Sequence, residues 1–124
     1  MSQTSVIAIV DDDEAVREAL FDFLQVEGLV ARMFNGATAF LAQARAGEFD
    51  CIVTDVRMPE IDGLELQRRL RSCGSSLPVI FITSSSEETT RARALQEGAA
   101  AWLTKPVDNE VLLHTLRTVL LPKH

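Results

Sequence analysis

Five short apolar runs punctuate the chain, each followed by a stretch whose apolar residues recur every three or four positions. The runs are Val6 to Val10, Val30 to Phe34, Cys51 to Thr54, Val79 to Ile82 and Ala101 to Thr104. Their β-branched content marks them as strands. The first helix is predicted from about Glu14 to Glu27, with Val16, Leu20, Phe23 and Leu24 on one face and Gly28 as its stop. The second carries Ala37, Phe40, Leu41 and Ala44 and is predicted to end at Gly47; the third follows Gly63 and buries Leu66 and Leu70. The fourth, about Glu87 to Glu97, offers only Ala92, Ala94 and Leu95 as apolar residues before Gly98. The fifth, about Asp108 to Leu120, turns Leu112, Leu116, Val119 and Leu120 inward. Strict strand–helix alternation implies parallel pairing with right-handed crossovers. Strands one, three and four are almost continuously apolar, as strands covered by helices on both faces must be. The expected fold is α/β: a doubly wound, five-stranded parallel sheet in the order 2-1-3-4-5, with its ligand crevice above strands one and three.

Polar residues at the strand ends give that crevice its chemistry. Asp11 and Asp12 follow the first strand, Asp55 the third, Thr83 ends the fourth and Lys105 follows the fifth. Part of the acidic run Asp11-Asp12-Asp13-Glu14 is explained by helix initiation, since Asp13 is a good N-cap and early acids favour the positive end of the helix dipole. Asp11 and Asp12 are not, because they fall at the tip of a buried strand. Two carboxylates about 4 Å apart repel by roughly 4 kcal/mol at an effective dielectric near 20. Asp55 worsens this unless a cation intervenes, and open oxygen ligands suit Mg²⁺. Asp55 opens a Pro/Gly turn, Asp55-Val56-Arg57-Met58-Pro59 with Asp62-Gly63. A carboxylate beside a bound cation is also able to accept a phosphoryl group as an acyl phosphate. Thr83 and the run Ser84-Ser85-Ser86-Glu87 suit a helix cap, and equally a hydroxyl bonded to a phosphoryl oxygen. Lys105 precedes Pro106, which fixes its projection, and opposite three carboxylates it serves as a counter-ion for phosphate.

Composition narrows the classes. The chain has 124 residues, 47% apolar and 24% charged, with a net charge of -6. That suits one domain with a genuine core and argues against direct nucleic-acid binding. No apolar run approaches the roughly 18 residues of a membrane span, and no basic-then-apolar leader opens the sequence, so a cytoplasmic location is expected. Cys51, inside a strand, and Cys73, closing a helix next to Gly74, read as structural thiols rather than a disulfide framework.

Val10-Asp11-Asp12, Thr54-Asp55-Val56-Arg57-Met58-Pro59 with Asp62-Gly63, Ile82-Thr83, Gly98-Ala99 and Lys105-Pro106 together resemble the receiver domain of two-component response regulators. The Asp-x-Arg-Met-Pro form is most similar to the nitrogen-fixation regulator subclass. The resemblance covers essentially the whole chain, 1–124, and implies a flavodoxin-like (βα)5 fold. It implies that Asp55 is the phosphoacceptor, taking its phosphoryl group from a phosphohistidine on a sensor histidine kinase or a histidine phosphotransfer protein. It implies Mg²⁺ as cofactor, bound by Asp12, Asp55 and the backbone carbonyl of Arg57, with Asp11 acting through water. Thr83 and Lys105 would hold phosphoryl oxygens, and the Lys105–Pro106 bond would be cis. After transfer, Thr83 would draw the following loop and shift the weakly anchored fourth helix. Trp102 stands at the switch position where the family generally has Tyr or Phe. Arg57 and Ser85 flank the pocket mouth, where the family tunes dephosphorylation.

Other uses of such a sheet fit less well. Dehalogenase-type phosphatases need a second acid two residues past the nucleophile, where Arg57 stands. A flavodoxin-like flavin carrier needs a hydroxyl-rich phosphate loop where Asp11-Asp12-Asp13 would repel phosphate, and no Gly-x-Gly-x-x-Gly loop is present. A receiver fold working as an interaction module without phosphorylation is the competing function. No output module is visible. The chain, ending at Leu121-Pro122-Lys123-His124, is either a stand-alone receiver, marginally preferred, or one half of a regulator with a DNA-binding tail. A downstream protein target, or a homodimer through helix four, strand five and helix five, is the expected output contact. Neither a membrane nor nucleic acid is an expected partner of this chain.

Overall fold

A computed structural model describes residues 5–45, 47–84 and 87–120. Expectations placed on Ser85 and on the terminal residues Leu121 to His124 lie outside the described residues. The elements alternate as the apolar pattern requires: β1 (Val6–Val10), α1 (Glu14–Val26), β2 (Val30–Phe34), α2 (Ala37–Gln43), β3 (Cys51–Thr54), α3 (Gly63–Ser72), β4 (Val79–Thr83), α4 (Glu88–Gln96), β5 (Ala101–Thr104) and α5 (Asn109–Val119). All five strands pair in parallel, in the order β2-β1-β3-β4-β5. This is the doubly wound, flavodoxin-like sheet expected from the sequence.

The two sheet faces build two apolar cores. Alternate strand residues Ala8, Val10, Ile52 and Phe81 point to one side, where Phe34, Phe40 and Leu66 meet them. Ile7, Ile9, Val53, Ile80 and Ile82 point to the other, against Leu24 of α1 and Leu112 and Leu116 of α5. Central β3 and β4 are buried at every position, which explains their unbroken hydrophobicity. Cys51 lies fully inside, and burial pushes its thiol up to about 12, leaving it protonated and inert.

Local chemistry sets the element ends. Asp13, Asp62 and Asp108 cap α1, α3 and α5 with side-chain hydrogen bonds to backbone N–H groups. Gly28, at φ 82°, ends α1 in the left-handed conformation, and Leu29 N–H returns to the Leu24 carbonyl. α2 is shorter than its apolar stripe implies. It stops at Gln43 because Ala44 turns extended and the chain must reverse to bury Phe49. The Phe49 ring packs on Phe34 at 5.8 Å and on Phe40 at 5.6 Å, so aromatic packing outweighs another helical turn. α4 is shorter by one residue at each end than expected, with Glu87 and Glu97 as its caps.

Gly63 joins the fold to the site. Its N–H bonds the Val56 carbonyl at 2.7 Å, and a Cβ built there would stand 2.3 Å from the Asp55 carbonyl oxygen. Only glycine lets the start of α3 tuck beneath the turn after β3. Gly63→Ala is expected to destabilise the protein by roughly 2 kcal/mol or more, as a shift in the urea midpoint, because the atom it strikes is backbone that cannot rotate away.

Candidate functional site

The carboxyl ends of β1, β3 and β5 bring Asp11, Asp55 and Lys105 together. Lys105 Nζ donates to Asp55 Oδ2 at 2.9 Å and to Asp11 Oδ2 at 3.4 Å. The second oxygen of each acid is held by backbone: Asp11 Oδ1 accepts from Asp13 N at 2.9 Å, and Asp55 Oδ1 accepts from Val56 N at 2.6 Å and Arg57 N at 3.3 Å. Both carboxylates are thereby oriented before anything binds.

The strands supply this placement through their register. Val10 pairs with Thr54, and Asp55 N–H continues the ladder to the Val10 carbonyl at 3.2 Å. On the far side Lys105 N–H bonds the Thr83 carbonyl at 2.8 Å, so buried Thr83 and Lys105 leave β4 and β5 side by side. The Lys105–Pro106 peptide is cis, as the resemblance implied. Asp12, one residue past Asp11, is exposed and does not share Lys105. Among the described residues no three His, Cys, Asp or Glu side chains gather into a metal cage. Buried Asp11 and half-buried Asp55 form the pair on Lys105.

Electrostatics mark the pair as charge-crowded. Asp11 is only 3% exposed, and burial, assisted by the negative charge of Asp55, lifts its carboxyl above the usual aspartate range despite the Asp13 hydrogen bond and the Lys105 charge. Burial alone would lower the Lys105 ammonium. Its hydrogen bond to Asp55 and the charges of Asp11 and Asp55 outweigh that, so it is held above its ordinary value. One cation thus serves two carboxylates, and a surplus of negative charge remains. Hard oxygen donors, partly open and carrying net negative charge, fit a divalent cation such as Mg²⁺.

Three features of the site were not legible from residue spacing. Arg17, one turn into α1, donates to the Asp11 carbonyl at 2.9 Å and fixes the loop after β1. Arg57 forms an ion pair with Glu87, the N-cap of α4, so the pocket mouth and α4 are tied across the surface. Glu60, in the turn after Asp55, has φ 69°, and its carboxylate accepts from Thr38 Oγ1 at 3.1 Å. Residue spacing specifies none of these partners, and the Arg57–Glu87 and Thr38–Glu60 pairings also span long stretches of chain. Trp102 lies outside the acid pocket, half-buried against Phe81 with ring centroids 5.7 Å apart.

A parallel 2-1-3-4-5 sheet with an acid pair and a lysine at its carboxyl edge defines a receiver-type signalling domain. The chain belongs to the response regulator receiver domain family, whose model matches residues 7–117. It is 43% identical over 118 residues to the response regulator protein TmoT of Ectopseudomonas mendocina, covering 95% of this chain and 54% of that protein. It is 38% identical over 120 residues to the transcriptional regulatory protein FixJ of Azorhizobium caulinodans, covering 97% of this chain and 57% of FixJ. The chain therefore spans about half the length of these relatives. Among solved structures it superposes on FixJ-N with a TM-score of 0.89 at 32% identity, covering 99% of this chain and 100% of that one. On full-length FixJ from B. japonicum the TM-score is 0.88 at 31% identity, covering 96% of this chain and 59% of that chain. It is the receiver domain of a two-component response regulator, and such domains are signalling domains.

Charge crowding has a measurable consequence for stability. Because the folded-state pKa of Asp11 is raised, its burial weakens the fold as pH climbs above the ordinary aspartate value of 3.8 and the acid must ionise. Asp11→Asn is therefore expected to be more stable than the native protein at neutral pH, by roughly 1 kcal/mol. The gap should close as pH falls to the ordinary aspartate value and below. Urea titrations at neutral and acid pH measure both stabilities; an Asn variant weaker at neutral pH would show that the Lys105 contact outweighs the burial cost.

Proposed function

We propose that this chain is a phosphoacceptor domain whose Asp55 takes a phosphoryl group from a phosphohistidine on a sensor histidine kinase or a histidine phosphotransfer protein. The observation that carries the reading is the 2.9 Å contact between Lys105 Nζ and Asp55 Oδ2, with Asp11 sharing the same ammonium. A carboxylate oriented by two backbone N–H groups and facing a lysine is prepared both to attack phosphorus and to have its product charge neutralised. In the transfer an Asp55 oxygen bonds to phosphorus as the P–N bond to the donor imidazole breaks. The electron pair of that bond leaves with the imidazole, and Asp55 becomes an acyl phosphate.

Asp11, Asp12, Asp55 and the backbone carbonyl of Arg57 are the groups that would hold Mg²⁺, which when bound supplies charge neutralisation at the phosphoryl oxygens. Lys105 moves from balancing two carboxylates to pairing with a phosphoryl oxygen. Thr83, at the end of β4 beside Lys105, offers its hydroxyl to another. A pull on Thr83 is passed to the loop that leads into α4, and the Arg57–Glu87 pair links the same helix to the turn after Asp55. Trp102, packed on Phe81 between these elements, reports or limits the rearrangement. The expected output is a changed α4–β5–α5 face, offered to a downstream protein or to a second copy of the domain.

The reading treats residues 1–124 as one receiver unit that signals through protein contacts and does not itself contact nucleic acid. No helix among the described residues is long and apolar enough to cross a membrane, and the proposed place of work is the cytoplasm.

Incubation with acetyl phosphate and Mg²⁺, followed by intact-mass measurement, tests this directly. One added phosphoryl group is expected on the native protein and none on Asp55→Asn. Lys105→Met should slow the reaction about 10²-fold, the usual loss when one preorganised charge is removed from a developing anion. An unmodified native protein would move the chain to the class of receiver folds that bind partners without phosphorylation.

A further inference from the structure

The seam between α3 and α4 contains a side chain that the apolar pattern does not predict. Gln67 on α3 is fully buried at 0% exposure, whereas glutamine ordinarily sits at the surface. Its Nε2 donates to the Ala94 carbonyl of α4 at a long 3.3 Å, and that carbonyl already accepts from Ala99 N–H at 3.0 Å. Among the described residues its Oε1 is buried and accepts nothing. Glu97, the C-cap of α4 on the same seam, has a buried Oε1 in the same condition.

Among the described residues, α4 has little apolar anchorage and several polar contacts. Ala94 is its one buried residue, and Leu95 is 36% exposed. Arg68 reaches Glu97 at 3.5 Å, and Arg71 donates to the Gly98 carbonyl at 3.2 Å. At the other end the Arg57–Glu87 pair is solvent-exposed. Exposed ion pairs contribute little, and one alanine buries little apolar area. An apolar side chain of the same length at position 67 would fill the seam without leaving an orphaned acceptor.

We infer that Gln67 is a positioning residue that keeps α4 shallowly docked, so that α4 opens from the sheet as a separate unit while the strands stay closed. When α4 is docked, the Gln67 acceptor is stripped of water without a partner. When α4 lifts, water returns to it, and the carbonyl of Ala94 keeps the N–H of Ala99, in the turn that follows the helix. The unpaired acceptor thus favours opening, against one long hydrogen bond that opposes it. This goes beyond the phosphoacceptor reading and does not depend on it, since it concerns the protein with no phosphoryl group bound.

Amide hydrogen exchange on the unphosphorylated chain tests the inference, under conditions where exchange reports the opening equilibrium. In the native protein the α4 amides should exchange about tenfold or more faster than those of β3 and β4, as a separately opening unit does. Gln67→Met keeps the length and removes the orphaned acceptor. It should slow α4 exchange about five- to thirtyfold and raise the urea midpoint. Gln67→Leu, which adds no length, should slow it in the same direction and so separates loss of the acceptor from tighter filling. Equal exchange of α4 and the strands in the native protein would overturn the inference. So would α4 exchange that is unchanged or faster in both variants.

Discussion

Lys105 between Asp11 and Asp55 is the interaction on which the rest of the molecule turns. Two carboxylates delivered by neighbouring strands repel each other, and the more buried of them, Asp11, is pushed toward its neutral form. A single ammonium 2.9 and 3.4 Å away makes the arrangement tolerable without making it comfortable. That residual charge is what the proposed function uses to draw in a divalent cation and a phosphoryl group. A fully neutralised pocket would have no reason to recruit a cation. A pocket with no lysine would have nothing to offer a newly arrived phosphate. Removing charge from such a site is expected to stabilise the fold at the expense of the proposed chemistry, the usual opposition between stability and function.

The fold serves this cluster by making it rigid on one side and loose on the other. β1 and β3 are buried on both faces and fix the acids, while Gly63 seats α3 directly under the Asp55 turn. Arg17 holds the Asp11 carbonyl from α1. α4, by contrast, is attached through Gln67, Arg68 and Arg71 at one end and through Glu87 at the other, with a single alanine buried. The acids therefore sit at the ends of buried strands, while α4, which the proposed function makes the readout element, buries one alanine. That division is set by side chains as well as topology: α3 and α4 pack on the same face of the sheet, yet α3 buries Leu64 and Leu66 where α4 buries only Ala94.

The central strands were legible because burial on both faces leaves an unbroken apolar run, and the part-exposed edge strands β2 and β5 because they recur as short runs between helices. Val6 to Val10, Val30 to Phe34, Cys51 to Thr54 and Ala101 to Thr104 agree with the structure residue for residue, and Thr83 completes β4. Strand order followed from alternation, and convergence of Asp11, Asp55 and Lys105 followed from strand order. What escaped the sequence was set by pairings across distance. The early end of α2 depends on three phenylalanines meeting, and no local signal at Ala44 announces it. Gln67 sits at a helical core position, where periodicity calls for an apolar residue and its polarity reads only as an exception. Of the three carboxylates expected at the strand ends, Asp11 and Asp55 meet on Lys105, and Asp12 is exposed.

Surplus negative charge on the acid pair should recruit a divalent cation, and the melting temperature of the unphosphorylated protein as Mg²⁺ is added measures this. A cation that binds only the folded state must raise stability by mass action as its concentration passes the dissociation constant. A saturating rise is expected for the native chain and is expected to be largely lost in Asp55→Asn, at constant ionic strength. A melting temperature indifferent to Mg²⁺, or one that rises equally in both proteins, would contradict this expectation.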